Sequence, residues 1–302
     1  MKVSINFKRY MRADPGYLIY SLDLAQAENR VVAYTSPEPN MIKAFEAKID
    51  IHRYTGSMIQ SLIEGKTVLP KDVTDEYRQK GKKSNHGLNY QMGYKEFALH
   101  NQMPEAEAQQ ICDAYHAAYP GVAQGWAAQL EQLRKTKTLE GVWLKTKGVP
   151  EEWCLPRKRT FRAPLILSDG KLNRDLLKEA SSFIPQNAVA EGVNLRGILY
   201  TYYNQKDFRF LKPLFPDYSE MEILNQVHDS LVFQIPLSAG FNYHADSVNA
   251  IKESLEQPIS WKETEFSIPV DIEVGLNLKD MEKFKSAVTA EQLKESYEKL
   301  CS

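Results

Sequence analysis

The sequence predicts an α+β fold: an antiparallel sheet with helices, interrupted by a long and mostly helical insertion. Three observations carry that expectation. Tyr17 to Asp23 (YLIYSLD) is apolar and rich in β-formers, follows the turn signal Asp14-Pro15-Gly16, and ends on a carboxylate. Ile223 to Val227 and Leu231 to Ile235 are β-rich runs joined across His228-Asp229-Ser230, which reads as a hairpin with a second carboxylate in its turn. Between these two β-rich parts the chain is largely helical in character. If their carboxylates are to meet, the helices must form an insertion.

The elements follow in order. Ala27 to Tyr34 reads as a helix that stops at Ser36-Pro37, where proline discourages continuation. Helices are expected over Asn40 to Glu46 and Asp50 to Ile63. A loop with Gly65 and Pro70 then leads to Asp72 or Thr74, either of which suits as the cap of the next helix. Glu105 to Tyr119 and Val122 to Lys135 are helical and split by Pro120-Gly121. From Thr138 to Leu167 the pattern turns to short strands, Leu139 to Lys145 and Thr160 to Leu167. Helix returns over Asn173 to Ser182 and again over Val189 to Tyr203. Beyond the hairpin, a helix (Tyr243 to Leu255) and a strand (Phe266 to Val274) return to the same sheet, and a charged helix begins at Thr289.

Composition narrows the class. The chain has 302 residues, 43% hydrophobic and 25% charged, enough for a sizeable core and roughly two domains. A net charge of −1 offers no global basic field, so any signal for nucleic acid lies in local clusters: Arg78 to Lys83, Arg134-Lys135 with Lys137, and Arg157-Lys158-Arg159 with Arg162. Such runs are more often solvated faces than binding sites. Cys112, Cys154 and Cys301 are scattered and odd in number, which suggests neither a disulfide framework nor a zinc site and fits a reducing cytoplasm. Cys112 and His116, four apart, read as core packing. The start, MKVSINFKRYMR, lacks a signal-peptide apolar core, and no run approaches the ~20 residues of a membrane span.

Two carboxylates that can share divalent metals, together with cations for a polyphosphate, are the parts of metal-assisted phosphoryl transfer. Asp23 and Asp229 are the candidate carboxylates; alone, either would read as an ordinary turn aspartate. Arg78, Lys82, His86 and Tyr90 form an i, i+4 ladder that drifts only ~40° per step, so neighbours share a helix face. Cations followed by a ring make a surface graded from polyphosphate to base. Gly87 costs about 1 kcal/mol against alanine inside a helix, which points to close approach by something flat or bulky. A solvated lysine-rich helix explains the charge but not the ring or the glycine.

Ser21 to Arg30 (SLDLAQAENR), Arg78 to Tyr90 (RQKGKKSNHGLNY) and Gln226 to Ser230 (QVHDS), in this order and spacing, resemble motifs A, B and C of family A DNA polymerases, the DNA polymerase I-like group. The resemblance implies a right-hand polymerase palm with a helical fingers insertion: palm over 1–35, fingers over 36–176, palm again over 177–286, and a helical tail over 287–302, with thumb and exonuclease absent. It implies a DNA-directed DNA polymerase that adds dNTPs to a primer 3′-hydroxyl. Two Mg²⁺ ions, with Mn²⁺ as a substitute, would be held by Asp23, Asp229 and the backbone carbonyl of Leu24.

By the same resemblance, Arg78 and Lys82 hold the nucleotide's phosphates, and Lys82 protonates the departing pyrophosphate. Tyr90 stacks near the templating base. Glu28 is a steric gate against a 2′-hydroxyl, a salt bridge to Arg30 being the structural alternative, and Gln26 lies in the same nucleotide-binding stretch. His52 matches a family histidine near the phosphates; a surface histidine is the competing view. Ser182 to Gln186, followed by Val189-Ala190-Glu191, resembles the segment of phage-type members that reads the primer-template minor groove, and the Gln186 amide can both donate and accept there. Leu155 to Phe161 resembles the basic strand before it, so Arg157 and Arg159 are expected on phosphates. Lys178 stands about where a family arginine would be, and His228 is a further DNA contact. Ordinary polar surface is the alternative for both segments.

Several positions depart from the family pattern. His86 stands where Phe or Tyr usually packs on the nucleotide sugar, Gln91 where glycine is usual, and Ser230 where glutamate is common. The residues before Tyr10 leave no room for a thumb or an upstream palm segment. The expected partners are therefore primer-template DNA, dNTPs and a second polypeptide supplying thumb, upstream palm and, on one reading, an exonuclease; otherwise the chain is a fragment of a longer product. No membrane partner is expected. Gly16-Tyr17, Gln26-Ala27-Glu28 and Phe183 to Gln186 have a phage-like character, which would place the protein in a host cytoplasm. The rival readings are a degenerate module that grips primer-template without catalysis, and an RNA polymerase or primase, against which Glu28 counts.

Overall fold

The computed structural model describes residues 7–145, 158–203, 221–261 and 264–301. The chain opens on a buried strand, β1 (Tyr17–Leu24), followed by α1 (Ala27–Thr35), α2 (Pro39–Glu46), α3 (Ile51–Glu64) and α4 (Asp75–Leu88). Proline in the first turn starts α2, and the Asp50 side chain caps α3. Thr74, not Asp72, caps α4, its hydroxyl accepting from the Tyr77 amide at 3.4 Å; Asp72 sits in a short 3-10 turn just before. Next come α5 (Tyr94–Asn101), α6 (Glu105–Ala118) and α7 (Pro120–Lys135). The sequence did not announce α5, whose two turns are too few to show a periodic apolar stripe.

β2 (Val142–Lys145) pairs antiparallel with β3 (Lys158–Phe161). The strand expected over Thr160 to Leu167 ends at Phe161, and Pro164 lies in the irregular stretch that follows. α8 (Arg174–Gly192) runs through Pro185 and continues into a π-helical stretch, Val193–Leu199. That corrects the break expected between Ser182 and Val189. Pro185 forgoes one helical hydrogen bond, but burial of Phe183 and Ile184 keeps the helix on its course.

β4 (Glu222–Val227), β5 (Ser230–Pro236), α9 (Phe241–Leu255), β6 (Ile259–Trp261), β7 (Thr264–Phe266), β8 (Val270–Gly275), β9 (Met281–Phe284) and α10 (Ala290–Cys301) complete the order. The run from Phe266 to Val274 is two strands rather than one. Pro269 separates them, and only β8 joins the main sheet. A capping box starts α10: the Gln292 amide donates to Thr289 Oγ1 at 3.3 Å, and the Thr289 amide donates to Gln292 Oε1 at 2.9 Å.

Chain contacts divide the protein into two compact units. One comprises Met1–Ala25, Val189–Ile259 and Phe266–Ser302; the other comprises Gln26–Ala188 and Ser260–Glu265. The first is built on an antiparallel sheet in the order β4-β5-β1-β8-β9. β1 lies at its centre and is buried along nearly its whole length, which is why it reads as a continuous apolar run. Leu18, Tyr20 and Leu22 share the core with Leu231, Phe233, Ile272 and Val274, and Val248 and Ile251 of α9 are buried with them. His244 Nε2 lies 2.9 Å from the Pro236 carbonyl, which can only accept, so its Nδ1 accepts from the Tyr20 hydroxyl at 2.7 Å. Lys252 of α9 and Glu256, the residue that caps its end, form an ion pair that clasps Val270: the ammonium donates to its carbonyl and the carboxylate accepts from its amide, each at 2.7 Å.

The second unit is helical around Met41, Ile51, Ile59, Leu88, Phe97, Ile111, Tyr115 and Val122. α3 and α4 cross at very short range because both carry glycine at the contact. A Cβ on Gly81 would stand 2.2 Å from the His52 carbonyl oxygen, and one on Gly56 2.6 Å from that of Tyr77. A smaller cluster, including Leu144, Phe161, Leu176 and Phe183, packs the β2–β3 hairpin against α8.

Candidate active site

Strand register brings the two carboxylates of the first unit together. Asp23 stands opposite Ser230 of β5 and Asp271 of β8, and the Leu24 amide donates to the Asp229 carbonyl at 3.0 Å. Glu273, two residues beyond Asp271, faces the same side of the sheet, and Lys283 of β9 lies opposite it. The Lys283 ammonium is 2.9 Å from Asp271 and 3.5 Å from Glu273. Burial, and next the charge of Asp229, push the Asp23 carboxyl up to about 7; Lys283 opposes this, while Glu273 and Asp271 add to it. A carboxylate so crowded by its own sign is a ready partner for a cation. Asp271, Glu273 and Lys283 were missed from sequence, although the alternation in VDIEVG, with Val270, Ile272 and Val274 buried, is the signal that would have found the first two.

The hairpin turn that carries Asp229 is tight. His228 is exposed and takes a left-handed backbone, φ 53°, and the Ser230 hydroxyl donates to the Val227 carbonyl at 3.0 Å. Among the described residues no three His, Cys, Asp or Glu side chains are grouped to hold a metal ion.

The second unit carries the cations. Arg78, Lys82 and His86 occupy successive turns of α4, but Tyr90 lies beyond its end, its amide donating to the Gly87 carbonyl at 3.2 Å. The ladder therefore has three rungs on the helix and a fourth on the turn after it. Both Nε and Nη2 of Arg78 lie 2.8 Å from Asp50 Oδ2, while Asp50 Oδ1 accepts from the His52 amide at 2.8 Å. Burial would raise the Asp50 carboxyl, but the Arg78 hydrogen bond and the His52 amide outweigh it and hold the group below the usual range. Lys82 and His86 are exposed.

His52 is only 6% exposed, which rules out the surface reading. Burial lowers its pKa to about 4; Asp50 opposes the shift, and His86, Arg78 and Lys82 reinforce it. Glu28 accepts from the Tyr90 hydroxyl at 2.6 Å, and Arg30 lies 4.3 Å over the Phe45 ring. Gln26 takes a left-handed backbone, φ 56°, and its side-chain oxygen accepts from the Ile51 amide at 3.0 Å, tying it to the start of α3. The close approach inferred at Gly87 is internal: a Cβ there would stand 2.9 Å from the Met92 sulfur.

The model of DNA polymerase family A matches residues 2–153, half of the chain. The chain belongs to this family. Thermostable DNA polymerase I of Thermus aquaticus is 24% identical over 272 residues, covering 89% of this chain and 28% of that protein. DNA polymerase I of Synechocystis sp. is 28% identical over 239 residues, 77% of this chain and 22% of that protein. The chain thus spans about a quarter of the length of these relatives. A solved POL domain of Pol1 from M. smegmatis, in complex with DNA primer-template and dNTP, shares its fold. The TM-score is 0.65 at 20% identity, covering 92% of this chain and 43% of that one.

The other residues singled out in this family A chain lie toward the end of the helical unit. Gln186 is exposed on α8, and beside it Asn187 Nδ2 is buried with no partner among the described residues. Arg159 is exposed, ion-paired with Glu179 and stacked 5.2 Å over Phe161. Lys178 is ion-paired with Glu96. Arg157 lies outside the described residues. No described helix is long and apolar enough to cross a membrane.

Proposed function

We propose that this chain carries the nucleotidyl-transfer site of a DNA-directed DNA polymerase, adding dNTPs to a primer 3′-hydroxyl on a DNA template. The observation that carries the reading is the β1–β5 pairing that sets Asp23 beside the turn of Asp229. Carboxylate and carbonyl oxygens are the hard donors that Mg²⁺ and Mn²⁺ favour, and the upward pull on the Asp23 carboxyl marks a place that gains from a cation. Asp23, Asp229 and the Leu24 carbonyl are the ligands proposed for two such ions. Bound there, they would lower the pKa of the primer hydroxyl and offset charge on the triphosphate.

The chain's own residues do the rest. Arg78 and Lys82 grip the triphosphate, and exposed Lys82 gives a proton to the departing pyrophosphate. Glu28, held by Tyr90, fills the space a 2′-hydroxyl would need. Gln26 holds the start of α3 in place, and His52 faces the phosphates as a neutral donor. His86 and Tyr90 present rings to sugar and base. Gln186, Arg157, Arg159, Lys178 and His228 track the primer-template. In this reading the sheet unit is the palm and the helical unit the fingers. The test is extension of a labelled primer with four dNTPs and Mg²⁺. Template-directed products that vanish with EDTA support the reading, and tight primer-template binding without extension contradicts it.

The finer reading is a phage replication enzyme that works together with a second polypeptide. Phe7 and Tyr10 expose about three-quarters of their surface and Met11 about half, apolar area that suits a covering partner. Co-purification from the native source tests it: a separate bound chain supports it, and a single longer product refutes it.

A further inference from the structure

The buried side of α4 bears a residue that the catalytic reading leaves idle. Asn85 is fully buried in the contact between α3 and α4. Its amide nitrogen lies 3.1 Å from His52 Nδ1 and 3.4 Å from the Ile51 carbonyl oxygen. Its amide oxygen accepts from the Thr55 hydroxyl at 2.9 Å, and Thr55 Oγ1 is itself 2.9 Å from the Tyr119 hydroxyl. Thr55 and Tyr119 are also fully buried.

This chain of contacts fixes a proton. The Ile51 carbonyl can only accept, so the nitrogen end of the Asn85 amide must face it. That same nitrogen faces His52 Nδ1, which must then accept. A neutral imidazole that accepts at Nδ1 carries its hydrogen on Nε2. Thr55, backed by Tyr119, holds the far end of the amide and keeps it from flipping.

We propose that Asn85 is a positioning residue for the nucleotide site, locking His52 as the neutral Nε2–H tautomer so that it presents one fixed N–H donor to the phosphates of an incoming dNTP. The proposal rests on the reading of His52 as a phosphate contact. Its chemistry suits the surroundings. Arg78, Lys82 and His86 and the carboxylate of Asp50 are the charged and titratable groups that act on the ring. A neutral donor adds a hydrogen bond without adding another buried charge to that set, whereas an unlocked ring would offer a lone pair to the phosphates in half of its orientations.

The test has two arms. Long-range ¹H–¹⁵N correlation spectra of ¹⁵N-histidine-labelled protein at pH 7 should show His52 with Nδ1 unprotonated and Nε2 protonated, and Asn85→Leu should lose that fixed pattern. An Nδ1–H ring in the parent, or the same fixed pattern in the variant, overturns the proposal. In the second arm, single-turnover dNTP titrations should give an apparent Kd raised about 10-fold in Asn85→Leu, with the maximal rate little changed. In a His52→Ala background the same substitution should cost less than about twofold, because its effect passes through the ring. An equal cost in both backgrounds makes Asn85 merely structural and overturns the proposal. Should Asn85→Leu fold poorly, Thr55→Val, which frees the amide to flip, takes its place with the same expectations. If the tautomer is as stated but His52→Ala leaves dNTP affinity unchanged, the phosphate reading of His52 is what fails.

Discussion

The Tyr90 hydroxyl donates to the Glu28 carboxylate at 2.6 Å, a bond between residues 62 positions apart that ties the first turn of α1 to the turn after α4. Burial, and then the charge of Glu28, raise the Tyr90 hydroxyl's pKa far above its usual value, so it stays a donor at every working pH. Glu28 is therefore a carboxylate held in one place. A residue proposed to exclude a 2′-hydroxyl by bulk works only if that bulk cannot swing aside.

Releasing the bond should loosen sugar selection. Glu28→Ala is expected to lower the preference for dNTP over rNTP by roughly 10-fold or more in kcat/KM, with some loss of dNTP rate. Tyr90→Phe should lower it by less, since the bulk remains but is no longer anchored. Competition between the two sugars on a defined template reads both. Unchanged preference in both variants would leave the pair a structural link.

His86 is the third rung of α4 and is exposed, its ring 6.0 Å from that of His52. His86→Tyr is expected to raise dideoxynucleotide incorporation, because a flat ring with a hydroxyl can stand in for the missing 3′-hydroxyl. Equal termination by parent and variant would show that position 86 does not touch the sugar.

His52 also makes the fold acid-sensitive. Its pKa is near 6.5 unfolded and about 4 folded, so between these values the unfolded chain takes up a proton that the native one does not. Stability from this group is complete above pH 6.5 and is lost as pH falls toward 4, by about 3 kcal/mol. The depressed Asp50 carboxyl acts in the same direction at lower pH. His52→Gln should flatten the fall between pH 6.5 and 4 in urea titrations. A parent and variant with parallel profiles would show that His52 titrates alike in both states.

Gln91 holds a left-handed backbone, φ 62°, where, among the described residues, a 3.4 Å hydrogen bond to the Leu177 carbonyl is what rewards its side chain. Gln91→Gly should stabilise the protein by up to about 1 kcal/mol, seen as a raised midpoint at constant slope in denaturant. A lowered midpoint would mean the side chain matters more than the strain.

Much of this was legible in the chain. β1 and the β4–β5 hairpin announced themselves because a central strand is apolar throughout and a two-residue turn is short. The cations of α4 were visible as a period of four. What stayed hidden depends on distant partners: that Asp50 holds Arg78, that Asn85 faces His52, and that Lys283 stands between Asp271 and Glu273. Pro185 misled because a local rule about proline was outweighed by tertiary burial of its neighbours. Glycine at position 87 signals close approach by something flat or bulky, and the bulky neighbour is Met92 of the same unit.

The central claim is that Asp23 and Asp229 serve chemistry rather than folding, and one measurement addresses it directly. Single-nucleotide addition is followed by rapid quench on pre-bound primer-template with saturating dNTP and Mg²⁺, in the parent, Asp23→Ala and Asp229→Ala, with duplex affinity measured alongside. Both variants should lose addition by at least about 10³-fold while binding primer-template within about threefold of the parent. The Asp23 variant should melt no lower than the parent, since it relieves a carboxylate crowded by Asp229, Asp271 and Glu273. Addition at near-parental rate by either variant would contradict the account.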